Sequence, residues 1–216
     1  MPAVLKVSDA HAILGHDVLG ADEAAAVFGV RVEAPPLPFT ADELTTAKTA
    51  GEMLVLRLAK DASAPLTLQR MIQHLPQSFD ERYLRKMGYQ LRDDWGIELE
   101  PLATTDTCTV GWALVRKEIL VETRNLAYDE QEEFVTRNRV DVRRRTVVEA
   151  VYDTLLYFGA RHVRLLEKTW DWTKSRTVDG GYLNVGGFGQ AGLQILSFSR
   201  AVRHGALGVC PTREPA

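Results

Sequence analysis

The sequence predicts an α+β fold, and three observations carry that reading. Residues 53–59 and 110–116 are short runs, apolar on both faces, which is the pattern of central strands. Thr40 to Glu43 and Thr146 to Glu149 are capping-box signatures that open helices. Residues 170–213 alternate short apolar runs with glycine turns, with aromatics beside Ser, Asn, Gln and Arg. That is the composition of a glycine-rich, irregular antiparallel β region.

The bulk numbers narrow the class. The chain has 216 residues, enough for one domain with a substantial core or two small subdomains sharing one. A net charge of −3 gives no global drive toward nucleic acid or an acidic membrane. The first residues show no basic region followed by an apolar one, and no apolar run approaches the ~20 residues that span a bilayer. The expectation is a cytoplasmic protein without a membrane span. Cys108 and Cys210 read as two buried thiols in a reducing compartment, with a disulfide as the alternative. His11, His16, His74, His162 and His204 lie far apart and show no metal-binding spacing, so no metal or cofactor is expected.

Residues 8–28 read as two short helices. Ser8 caps the first and Gly15 ends it; residues 21–28 form the second, closed by Gly29. Residues 30–33 read as a short strand. Pro35, Pro36 and Pro38 then impose an extended connector, so residues 1–38 form an N-terminal helical segment and 39–216 the α+β domain. Thr40 opens a helix that Gly51 ends. After strand 53–59, Pro65 opens a helix to Leu75, with Leu68, Met71, Ile72 and Leu75 as its buried stripe.

Residues 77–107 interleave Arg82, Arg85, Lys86 and Arg92 with Tyr83, Tyr89 and Trp95. Such interleaving can bind single-stranded nucleic acid, but Asp93, Asp94, Glu98 and Glu100 follow closely. A surface helix with inward aromatics is the favoured account. Strand 110–116 pairs near strand 53–59, and residues 125–134 form an acidic helix. Arg137, Arg139, Arg143, Arg144 and Arg145 form the densest basic cluster. It could meet phosphate, but Asp129, Glu130, Glu132 and Glu133 make internal pairing more economical. Thr146 opens the strongest helix. Val147, Val151 and Leu155 form one stripe, Val148, Tyr152 and Leu156 another, and Gly159 terminates it.

Residues 187–192, G-F-G-Q-A-G, match G-x-G-x-x-G. A phosphate-binding loop needs a helix after it, whereas L-Q-I-L-S-F-S alternates like a strand, so these are read as turn glycines. No nucleophile elbow or Walker lysine is present. Asp171, Asp179 and Asn184 could ligate calcium, but turns separate them, and a solvated loop is the better account.

The segment T-W-D-W-T-K-S-R (169–176), the D-G turn, residues 182–185 and the closing L-G-V-C-P-T-R (207–213) together resemble the end of C-type-lectin-like modules. This group includes formylglycine-generating-enzyme-like domains. The chain is also similar to uncharacterised bacterial proteins, some of which are targets of diversity-generating retroelements that vary a lectin-like C-terminal surface. The departures are P-T-R after Cys210 and the missing lectin disulfide and calcium motifs. Neither sugar binding, calcium binding nor formylglycine generation is therefore carried over.

The resemblance implies a C-type-lectin-like mixed sheet with packed helices, and a display region at about 170–213. The candidate ligand-binding residues are Trp172, Arg176, Tyr182, Asn184, Phe188, Gln190, Gln194, Ser197, Ser199, Arg203 and His204. Trp170, Leu183, Ile195 and Leu207 are expected to face the core. The expected function is non-enzymatic binding of a protein or other macromolecule. One alternative is an enzyme of the same fold using His204 or Cys210 in a C-terminal pocket. The other is a nucleic-acid-associated protein using Arg137–Arg145.

Overall fold

The computed structural model describes residues 5–73, 100–138, 141–189 and 192–215. It is mixed α+β, with seven α-helices and two four-stranded mixed sheets among the described residues. The basic and aromatic positions from Arg82 to Trp95 lie outside the described residues, as do His74, Leu75, Arg139 and Gln190.

In the N-terminal part, α1 is Val7–Leu14 and α2 is Ala21–Phe28. Ser8 is not the cap of α1. The N-cap is Lys6, whose amide donates to the Asp9 carboxylate at 2.8 Å, and Ser8 falls inside the first turn. Between the helices, β1 (Val18–Leu19) runs parallel to β2 (Glu52–Arg57), with Val18 opposite Leu54. Residues 30–33, expected as a short strand, form none.

The capping box at Thr40 forms as expected. The Thr40 amide donates to Glu43 at 2.7 Å, the Glu43 amide returns to Thr40 Oγ1 at 3.3 Å, and α3 runs Ala41–Ala50 to a left-handed Gly51. The strand β3 (Gly111–Arg116) pairs antiparallel with β2, Met53 opposite Val115. Two short helices, α4 (Leu68–Gln73) and α5 (Leu102–Thr105), flank this part, and α6 spans Tyr128–Asn138.

The centre of the molecule is α7, Val147–Arg161, in which every residue from Val147 to Tyr157 is buried. It does not stop at Gly159. The helix continues, and His162 takes the left-handed closing position at φ 56°. Gly159 serves another purpose: a Cβ there would lie 2.6 Å from Val27 Cγ2, so its absence lets α2 pack closely on α7.

The second sheet has the order β6-β5-β4-β7, with β4 Trp170–Arg176, β5 Tyr182–Gly189, β6 Gly192–Phe198 and β7 Leu207–Gly208. Gly187 and Gly189 lie inside β5 and Gly192 opens β6, so most of the G-x-G-x-x-G match is strand rather than turn. A register shift between Gly186 and Gly189 marks the irregularity. The chain then returns to the first sheet, where β8 (Thr212–Arg213) pairs with β3. One apolar core joins both sheets and draws on Ala10, Leu19, Phe28, Leu54, Tyr152 and Ile195.

Charge also bridges the two sheets. From β2, Arg57 donates Nε and Nη2 to the two Asp153 oxygens of α7, at 2.9 and 2.6 Å. Arg145 donates to Asp153 at 3.0 Å and to Asp171 of β4 at 2.9 Å. The other Asp171 oxygen accepts the Cys210 amide at 2.7 Å. All four charged side chains are buried. Buried ion pairs add little net stability over apolar packing, but they are costly to break singly. The chain of pairs therefore fixes how the second sheet sits on α7.

Candidate functional site

Strand alternation places Trp170, Trp172 and Arg176 of β4 on one face of the second sheet. Their partners across β5 and β6 follow from the register. Tyr182 is opposite Arg176 and Phe198, and Asn184 is opposite Trp172 and Leu196. The middle of this face is covered. Tyr128 of α6 meets the Trp172 ring edge-on at 5.3 Å.

Covering the middle leaves the hairpin end open, and a stacked column leads to it. The Arg144 guanidinium lies 4.1 Å from the Tyr128 ring centre. Tyr128 packs against Tyr182 at 4.0 Å, and the Arg176 guanidinium closes the column 4.6 Å from Tyr182. The inner end is fixed, because Arg144 donates to the Trp172 carbonyl at 2.8 Å and to Glu132 at 2.6 Å. Burial pushes the Tyr128 hydroxyl up to about 12, with Arg144 opposing, so it stays protonated near neutrality. The outer end, Arg176, is exposed and makes no ion pair among the described residues.

Around Arg176 and Tyr182 lies an open depression of about 340 Å³, lined further by Gly181, Ser197, Ser199 and Arg200. Its lip is the tight turn between β4 and β5, in which the Gly180 amide donates to the Thr177 carbonyl at 2.9 Å. A Cβ on Gly181 would sit 2.0 Å from Ser197 Oγ, so glycine lets this lip close on the sheet without turning the Ser197 hydroxyl away. Asp179 at the tip accepts the Thr177 hydroxyl, which with the Gly181 amide holds its carboxyl below the usual range. Opposite, Arg200 is held by Asp129 through Nε at 2.9 Å.

The predicted contact residues therefore separate. Arg176, Tyr182, Ser197 and Ser199 come together on the depression. Trp172, Asn184 and Phe188 are fully buried and serve the interior instead. For Trp172 the cover is Tyr128 of α6, whereas Phe188, at the register shift in β5, packs on Phe158 of α7 in the main core. Arg203 and His204 are exposed but lie outside the depression; Arg203 pairs with Glu130 at 2.5 Å and stitches its loop to α6. Gln194 is half-buried at the far end of β6. Leu183, Ile195 and Leu207 face the core as expected, whereas Trp170 is only partly covered. Sequence reasoning missed Arg200 and Gly181. A glycine after a D-G pair, facing a serine across a hairpin, was the available signal for Gly181.

The sites of the two alternatives are also placed. Cys210 and Cys108 are free and buried, and burial raises both thiols well above their ordinary range. An attacking thiolate needs the opposite setting. The exposed His204 ring accepts the Ala206 amide at 3.1 Å, and no second titratable side chain pairs with it among the described residues. Arg144 and Arg145 are buried in the pairs above, Arg143 is held by Glu149 at 2.7 Å, and Arg137 by Glu133. No group of three or more His, Cys, Asp or Glu side chains that could hold a metal ion occurs among the described residues, and none of their helices is long and apolar enough to cross a membrane. No family model, curated protein or solved structure matches the chain.

Proposed function

We propose that this chain is a non-enzymatic binding protein whose C-terminal, lectin-like sheet presents its hairpin end to a protein or other macromolecule. The carrying observation is the convergence of Arg176, Tyr182, Ser197 and Ser199 on one open depression. The reading is supported by how that end is held: a ring and guanidinium column anchored on Arg144 backs it, and buried ion pairs fix the sheet to α7. Arginine and tyrosine are enriched at interaction hot spots, and a rigid support holds them in one geometry. The lectin-like part of the proposal rests on the tryptophan-bearing β4 at the centre of the second sheet and on the closing β8 returning to the first.

The test is affinity capture from a lysate of the source cells, with quantitative mass spectrometry. Wild type is compared with Arg176→Glu plus Ser199→Glu, and with Val121→Glu as a remote exposed control. Thermal melting first establishes that all three are folded. Partners retained by wild type and the control but lost by the double variant support the proposal. The same partners bound by all three, or none bound by any, would sink it.

A further inference from the structure

A second depression lies away from the hairpin end. It has a volume of about 540 Å³ and is formed by the loop after α7, the residues following β3, and Tyr157. Its floor is apolar, with Ile119, Leu166 and Tyr157 buried beneath it and Leu165 partly so. Lys117 is satisfied on its wall: its ammonium donates to Asp17 at 2.7 Å, and the Tyr157 hydroxyl donates to the same carboxylate at 2.9 Å. The remaining rim is different. Arg124, Arg164 and Lys168 face it without ion pairs among the described residues, against Glu118 and Glu167.

Arg164 is the informative member. Its guanidinium lies 5.3 Å from the Phe158 ring centre and 5.8 Å from that of Phe188. Two rings therefore hold the plane in place, as cation–π contacts do. Its Nε is buried and meets no hydrogen-bond acceptor among the described residues. The guanidinium, lining the depression without an ion pair among the described residues and held by the two rings, is a permanent planar cation of the kind an oxyanion satisfies well.

We propose that this depression is a second ligand site, taking a small organic molecule with an oxyanion head and an apolar body. The head, a phosphate or a carboxylate, meets Arg164 with Arg124 or Lys168. The body covers Ile119, Leu165 and Leu166. The site is independent of the hairpin end and does not rest on the function proposed for it.

Isothermal titration of the full chain with phenyl phosphate, benzoate and inorganic phosphate tests this. Phenyl phosphate or benzoate is expected to bind saturably and more tightly than inorganic phosphate, because only these carry an apolar body. The better of the two identifies the head group. Arg164→Gln is expected to weaken that binding by roughly tenfold or more, the worth of one charge-assisted contact. Arg124→Gln with Lys168→Gln tests the same site without disturbing the Phe158 and Phe188 stack, and should weaken binding in the same direction. Arg176→Glu should leave it unchanged. No saturable binding of either aryl probe tighter than ~1 mM, or binding untouched by the Arg124 and Lys168 pair of changes, overturns the proposal.

Discussion

Replacing Arg145 with methionine probes what holds the two sheets together. Methionine keeps much of the aliphatic stem and removes the guanidinium. Asp153 keeps Arg57 at 2.6 Å, but Asp171 loses its bonds to Arg145 and, among the described residues, retains the Cys210 amide at 2.7 Å. Removing one partner of a buried pair costs about 3–5 kcal/mol, a large share of the ~5–15 kcal/mol that keeps a domain folded. Urea unfolding followed by tryptophan fluorescence measures the loss. Its pH dependence identifies the cause. Burial already raises the Asp171 carboxyl above 3.8, with Arg145 the largest opposing influence. Without Arg145 it rises further. A carboxyl whose folded value exceeds its unfolded one favours folding when protonated, and that advantage is lost as pH rises through the folded value. The gap between variant and wild type should therefore be smaller near about pH 5 than near about pH 8. Adding Asp171→Asn removes the stranded charge but keeps an acceptor for Cys210, and should recover part of the loss. A single-variant loss below about 1 kcal/mol, a gap that does not change with pH, or no recovery in the double variant would refute the reasoning.

Two further changes test neighbouring features. Gly159→Leu places a side chain where even a Cβ lies 2.6 Å from Val27, so overpacking should cost about 1–3 kcal/mol and lower the melting temperature by several degrees. An unchanged melting curve would show that α2 does not depend on this contact. Glu149 is held at about 2 rather than 4.5, because bonds from Arg143 and the charge of Arg57 outweigh its burial. Its folded value is depressed, so the stability it contributes is present above pH 4.5 and lost between there and about 2. Integrated, that shift is worth about 3 kcal/mol. Acid unfolding of Glu149→Gln should lack this component of the slope, and an acid transition with wild-type slope would contradict it.

Most of the frame was legible because its causes are local. Thr40 and Thr146 sit three residues before a glutamate, and each opens the helix its spacing predicts. Residues 53–57 and 111–116 carry enough β-favouring apolar side chains to be central strands wherever the rest goes. What the sequence concealed depends on distant partners. The strand pairing of Val18–Leu19 exists because β2 offers an edge. Arg57 within an apolar strand and Asp153 within an apolar helix were visible anomalies, since a charge on a buried stripe needs a partner. Only the fold reveals that the two meet, and that Arg145 extends the link to Asp171.

The candidate site follows the same division, and this explains its small size. Polar or aromatic character within the lectin-like span marked the contact candidates. It could not register that Tyr128, from a helix more than forty positions earlier, covers the middle of the face. Covering that middle pushes Trp172 and Asn184 inside and leaves the hairpin end as the accessible part. The same helix then supports what remains exposed, since Tyr128 lies between the fixed Arg144 and the outward Tyr182. Arg176 is thus placed by packing that reaches the core, while the turn beside it is shaped mainly by Gly180 and Gly181. A surface built this way keeps its anchor when side chains on the turn or on residues 199–200 change. Tyr182 and Arg144 are the positions where substitution would move the anchor itself.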